Sequence, residues 1–192
     1  MSNLVIGGLA FLSFVLYDIN KITINNRFLR GGFLLGCILL LMATAGIIYT
    51  ALNGTDNETG ETIARTLIFG SLALVSLILL IYTLFFAIPF RETYLTSEAQ
   101  PEVCDTGIYA LSRHPGVLWF MGFYLFFWLA IPNPLLLMGG ILFSLLNLFY
   151  VLLQDRWIFM KTFPNYNEYQ ESTPFLFPTY QSCKRCIKTF HK

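Results

Sequence analysis

The sequence predicts an all-α integral membrane protein: a helical bundle of about five transmembrane helices with a C-terminal cytoplasmic cap. Three observations predict it. Of the 192 residues, 56% are hydrophobic and only 12% are charged, about half the charged share of a soluble domain, and the mean hydropathy is +0.63. The apolar residues fall in runs approaching or exceeding the 20 or so residues that a spanning helix needs. The basic residues are also distributed unevenly between the connections, as the positive-inside rule requires of a spanning chain.

The runs lie at about 2–17, 31–52, 64–90, 115–131 and 135–153. The first lacks a basic leader and a small-residue cleavage site, so it reads as a retained span and not as a signal peptide. Small residues Gly31, Gly32, Gly36, Ala43, Ala45 and Gly46 along the second permit close helix contact. The third ends near Pro89 and Arg91. A connection of about 22 residues follows, whose apolar positions Tyr94, Leu95 and Val103 suit the membrane surface; loops of this length often carry function. Asn133-Pro134 is a tight turn that makes the last two spans antiparallel neighbours.

Eleven of the twelve basic residues fall on alternate connections: Lys21, Arg27 and Arg30; Arg91 and Arg113; and Arg156, Lys161, Lys184, Arg185, Lys188 and Lys192 in the tail. Only Arg65 lies on the other side. This places the N-terminus outside and the C-terminus in the cytoplasm. Charged residues near the midplane of the spans, the usual mark of a transporter, are absent from the runs. Twelve basic against eleven acidic residues leave a net charge of +1, which gives no basis for nucleic-acid binding.

The four cysteines form no disulfide framework. Cys37 lies in a span, and Cys183-x-x-Cys186 lacks the second pair or histidines of a zinc site, so the two are expected to be reduced thiols with no metal, metal or redox use and membrane-surface acylation being the alternatives. Asn53-Gly-Thr55 and Asn57-Glu-Thr59 fit the glycosylation pattern by composition alone.

Chemistry concentrates at one face. Arg113-His114-Pro115 precedes the fourth run and Gln154-Asp155-Arg156 follows the fifth, so the hairpin returns both clusters to the same side. Proline at the first helical position leaves Arg113 and His114 beside a helix N-terminus, where an anionic group is favoured. After Pro164 the chain carries Tyr166, Tyr169, Pro174 and Pro178, more like a cap over a pocket than a disordered tail. Taken singly, arginine and tyrosine are also ordinary interface anchors. Together these groups supply anion binding, hydrogen bonding and stacking in one pocket.

Gly107-Ile-Tyr109-Ala-Leu-Ser-Arg113-His114-Pro115 resembles the Gly-x-Tyr-x-x-x-Arg-His-Pro signature of isoprenylcysteine carboxyl methyltransferases and related membrane phospholipid methyltransferases. Asn133-Pro134 is similar to that family's hairpin turn, Tyr166-x-x-Tyr169 to its Tyr-x-x-Tyr, and Thr173-Pro174-Phe-Leu-Phe-Pro178 to its Val-Pro-x-x-x-Pro. The resemblance covers residues 107–178 and divides the single membrane domain of 1–192 into a scaffold (1–106), a methyltransferase-like region (107–178) and a basic tail (179–192).

What the resemblance implies is an enzyme that binds S-adenosylmethionine from the cytoplasm and methylates a lipid or lipidated small-molecule acceptor entering from the bilayer. Arg113 and His114 are then the catalytic candidates. Tyr109, Arg113, His114, Pro115, Gln154, Asp155, Tyr166 and Tyr169 are the cofactor-binding ones. Several positions depart from the pattern. Gln154-Asp155 stands where the family has two glutamates, Val117 and Trp119 where it has tyrosine and glycine, and Phe163-Pro164 where it has Phe-Gly. Asp155 is expected to carry the polar recognition, with Gln154 replaceable. These departures also motivate a second reading, a catalytically lapsed member serving as a membrane structural or accessory protein. Methyl transfer from a sulfonium asks mainly for positioning; with His114 and Asp155 the only evident bases, a carboxylate or thiolate acceptor is favoured.

Overall fold

The structure, a computed structural model, describes residues 1–54, 60–87 and 102–189, with the side chains of residues 60–62 outside that description. The Asn57–Thr59 pattern, the end of the third run beyond residue 87, Tyr94 and Leu95 lie outside the described residues. Among the described residues there are helices and no strands.

Helix α1 (Ser2–Ile22) leads through a 3-10 turn (Arg27–Gly31) into α2 (Gly32–Leu52). Helix α3 (Gly60–Phe85) is followed by a short α4 (Ile108–Leu111), then α5 (Pro115–Ala130) and α6 (Pro134–Leu153). A π turn (Gln154–Ile158) prolongs α6 into α7 (Phe159–Thr162); α8 (Tyr166–Ser172) and α9 (Tyr180–Thr189) form the cap. Among the described residues four segments, Ser2–Ile22, Arg27–Leu52, Ile63–Phe85 and Pro134–Thr162, are long and apolar enough to cross a membrane. The fifth expected span is the shorter α5, 16 residues or about 24 Å at the α-helical rise, somewhat less than a typical hydrocarbon core of about 30 Å.

The ends of these helices follow from local chemistry. Asn133 caps α6, its Oδ1 accepting from Leu135 N at 2.9 Å and Leu136 N at 3.4 Å, with Pro134 at the first helical position. Asn20 fixes the α1–α2 connection by donating to Asn26 O at 3.0 Å and accepting from Asn26 N at 2.7 Å. Asn26 Oδ1 in turn accepts from Phe28 N at 2.9 Å, starting the 3-10 turn.

Helix α1 packs along α2, α3 along α5, and α6 against α1, α2 and α5. The core between them contains Phe11, Phe14, Ile47, Phe120, Tyr124 and Phe143. Leu41, Leu67 and Phe149 are each about two-thirds exposed on the outside of the bundle. An apolar exterior of this kind suits lipid and not water.

Polar cross-links are few and specific. The Thr44 and Tyr124 hydroxyls lie 2.6 Å apart and join α2 to α5, while Ser13 Oγ donates to Gly32 O at 2.7 Å. Without a hydrophobic drive between helices in lipid, close van der Waals contact carries the rest of the association. Gly36 is where α1 and α2 meet: a Cβ there would lie 2.5 Å from the Phe14 ring and 3.0 Å from Ala10 O. Backbone cannot yield as a side chain does.

Gly36→Val is therefore expected to destabilise the protein by about 1–3 kcal/mol, the usual cost of overpacking, read as a lowered Tm in detergent. Gly8→Ala meets nothing within 4 Å and should leave Tm unchanged. Equal Tm values for both variants would refute the close α1–α2 contact.

Candidate functional site

The site is built around one carboxylate. Asp155 lies in the π turn that ends α6, where Phe159 N bonds back to Gln154 O, a widened register frequent at functional positions. Only 5% of Asp155 is exposed. Arg113 Nε and Nη2 reach its two oxygens at 2.9 and 3.2 Å, His114 Nε2 lies 3.1 Å from Oδ1, Tyr166 OH donates to Oδ1 at 2.6 Å, and Gln170 Nε2 donates to Oδ2 at 3.1 Å. Bidentate pairing to arginine is the strongest common form of such contacts.

The other edge of Arg113 is also used. Its Nη1 donates to Gln170 O at 2.9 Å and Thr173 O at 2.8 Å. The backbone N–H groups of Arg113 and His114 donate to Pro174 O at 2.9 Å and Phe175 O at 3.2 Å. These two backbone bonds bring the Thr173–Pro178 segment onto the start of α5. Gly107 opens the segment with a positive φ of 57°, a conformation that glycine adopts without penalty.

Aromatic rings enclose the polar centre. His114 stacks on Phe159 with centroids 5.9 Å apart and meets Phe175 edge-on at 5.1 Å; Tyr166 contacts Phe159 at 5.4 Å. Burial lowers the His114 pKa, outweighing the attraction of Asp155. That shift favours the neutral imidazole, and in the tautomer that donates Nε2–H to Asp155 the Nδ1 lone pair is left free. Burial and the neighbouring carboxylate raise the Tyr166 phenol, and burial with the nearby Tyr109 raises that of Tyr169. Both remain protonated donors.

Arg113, His114, Asp155 and Tyr166 are thus drawn into one cluster. Tyr109 and Tyr169 stand behind it. Tyr169 OH donates to Tyr109 O at 2.7 Å, while Tyr109 OH donates to Thr83 O at 2.9 Å and ties the segment to α3. Pro115 is buried at the first position of α5. The departures Val117 and Trp119 lie along α5; Val117 is buried, and Trp119 Nε1 is buried with no hydrogen-bond partner among the described residues.

Gln154 faces elsewhere. Its Nε2 donates to Asp18 Oδ2 at 2.8 Å, beside Tyr150 OH, which donates to the same oxygen at 2.8 Å. The structure thus places Gln154 outside the Asp155 cluster, where its amide supplies a proton to a carboxylate only 7% exposed. Asp18 escaped the sequence reading because the first apolar run stops at residue 17, whereas α1 continues to Ile22. The i, i+4 pair Tyr150 and Gln154 at the end of the last span was the available signal. Gln170, the remaining donor to Asp155, had none.

A depression of about 280 Å³ lies on the cap beside this cluster, lined by Asp105, Asn165, Glu168, Tyr169, Ser172 and Arg185 among others. Among the described residues, no group of three or more histidine, cysteine or acidic side chains is placed to hold a metal.

Residues 16–173 match the model of a protein family of unknown function, DUF1295. The chain belongs to the DUF1295 family. No curated protein and no solved structure matches the chain. The DUF1295 match takes in α2, α3, α5, α6 and the whole Asp155 cluster, and it includes Asp18.

Gln154→Glu should lower Tm, because it replaces the amide donor with a second carboxylate against buried Asp18. Adding Asp18→Asn to that variant should recover much of the loss. A Gln154→Glu protein as stable as the parent would contradict the pairing.

Proposed function

We propose that this DUF1295 protein is an integral membrane methyltransferase that uses S-adenosylmethionine to methylate a lipid-like acceptor, of the isoprenylcysteine type or another lipid bearing a carboxylate or thiol, at the cytoplasmic membrane face. The observation that carries this reading is the convergence on Asp155 of three segments that resemble the membrane methyltransferases. They are Gly107–Pro115, Tyr166–Tyr169 and Thr173–Pro178, joined by hydrogen bonds from Arg113, His114 and Tyr166. In this reading the N-terminus is outside and the C-terminus and site are cytoplasmic, following the basic residues.

The cofactor supplies an electrophilic methyl group on a sulfonium. The residues present fit its amino-acid end in a particular way. Asp155 has both oxygens occupied and Arg113 four of its five N–H groups committed to internal partners, so these two shape the site more than they grip a ligand. Asp105, Glu168 and Arg185 line the adjacent depression and carry the two signs that an ammonium and a carboxylate require. Tyr169 lies on the same wall and its hydroxyl holds the Tyr109 backbone. In its neutral form, which burial favours, His114 keeps one basic nitrogen, suited to accepting a proton from a thiol. For the acceptor chain, an apolar depression of about 360 Å³ between α1 and α6 is lined by Phe11, Leu12, Val15, Phe149 and Leu153, with Tyr150 on its wall.

The second reading, a lapsed member with a structural or accessory role, is favoured by Gln154 turning to Asp18 and by the closed hydrogen bonding of Asp155. Isothermal titration of the full chain in detergent with S-adenosylmethionine and with S-adenosylhomocysteine separates the two. The methyltransferase reading expects saturable binding of both. A folded protein that binds neither is the lapsed form.

A further inference from the structure

Among the described residues, helix α9 (Tyr180–Thr189) is attached to the cap by one face. Thr179 and Ser182 cap its start, Thr179 N donating to Ser182 Oγ at 2.9 Å and Ser182 N to Thr179 Oγ1 at 3.2 Å. Arg185 donates to Ser172 O and Thr173 Oγ1, and at its far end Thr189 Oγ1 accepts from Gly107 N at 2.9 Å. Ser182, Arg185 and Thr189 recur at helical spacing and face inward.

The opposite face is apolar and basic. Tyr180 is 83% exposed and Ile187 76%, with Phe177, just before the helix, 74% exposed. Lys184 and Lys188 are exposed beside them. Positions 180, 184, 187 and 188 form a single stripe, and residues 179–189 contain no aspartate or glutamate. In water, three large apolar side chains left this open have no compensating partner. Next to lysines on a short amphipathic helix, they match the composition of elements that lie in a membrane interface.

We propose that the exposed face of α9 docks on the surface of the protein's own bilayer. Phe177, Tyr180 and Ile187 would enter the headgroup boundary, with Lys184 and Lys188 on anionic lipid headgroups. Charge complementarity selects that occupant: a basic face tethered to a spanning bundle meets an anionic leaflet at high local concentration, each lysine near the surface adding to the attraction. Because α9 also holds Gly107 and the end of α8, a docked α9 braces the segment that carries Arg113 and His114. The proposal stands independently of the methyltransferase reading.

The test is hydrogen–deuterium exchange of residues 180–189 in the full chain, in nanodiscs of phosphatidylcholine alone and with about 30% phosphatidylserine. Exchange should be several-fold slower in the anionic discs. The difference should vanish in Lys184→Glu/Lys188→Glu and in high salt, which screens the headgroups. Phe177→Ser/Ile187→Ser should weaken protection in both lipids. Equal exchange in the two parent discs overturns the proposal. So does protection that appears in detergent and grows with protein concentration, which would make this face an interface between copies of the chain.

Discussion

The carboxylate of Asp155 is the contact on which the cap depends. It sits in the last third of Pro134–Thr162, the longest apolar element among the described residues, and receives hydrogen bonds from the start of α5 (Arg113 and His114) and from α8 (Tyr166 and Gln170). A buried charge is costly unless paired and fully hydrogen-bonded. Here every donor comes from a segment that must be folded to deliver it. The carboxylate therefore acts as a register mark: the hairpin and α8 satisfy it together, and the Thr173–Pro178 segment holds Arg113 and His114 where they can reach it.

A second buried acid, Asp18, performs a similar task on the opposite side of the same turn. Consecutive residues Gln154 and Asp155 serve different partners, one reaching α1 and the other α5 and the cap. The π turn makes this division possible by widening the helix where two neighbouring side chains must diverge. Polar contacts thus fasten the cytoplasmic end proposed for the bundle, while small residues and aromatic packing hold the rest.

Much of this was legible in the sequence, and for local reasons. Hydropathy runs mark helices that must satisfy their own backbone in lipid, and Asn133-Pro134 announces a cap and a first turn whatever surrounds it. The proximity of Arg113 and Asp155 followed from that hairpin. What was hidden depends on tertiary register. Whether α1 ends at residue 17 or 22 decides if Asp18 is a loop acid or a buried one, and no apolar pattern distinguishes them. The rotation of Gln154 away from Asp155 requires a π turn that has no composition signal. Gln170, between two aromatic landmarks, is an ordinary polar residue until the chain folds back on Asp155.

A double-mutant cycle on Arg113 and Asp155 tests this account most directly. The free energies of unfolding of Arg113→Ala, Asp155→Ala and the double variant would be compared with the parent in mild detergent. Each single change strands a buried charge, so the double variant should be more stable than the sum of the two losses implies, by about 2 kcal/mol or more. Losses that add to within about 0.5 kcal/mol, the scatter of independent sites, would show that the two residues do not act on one another and that the cap is held by something else.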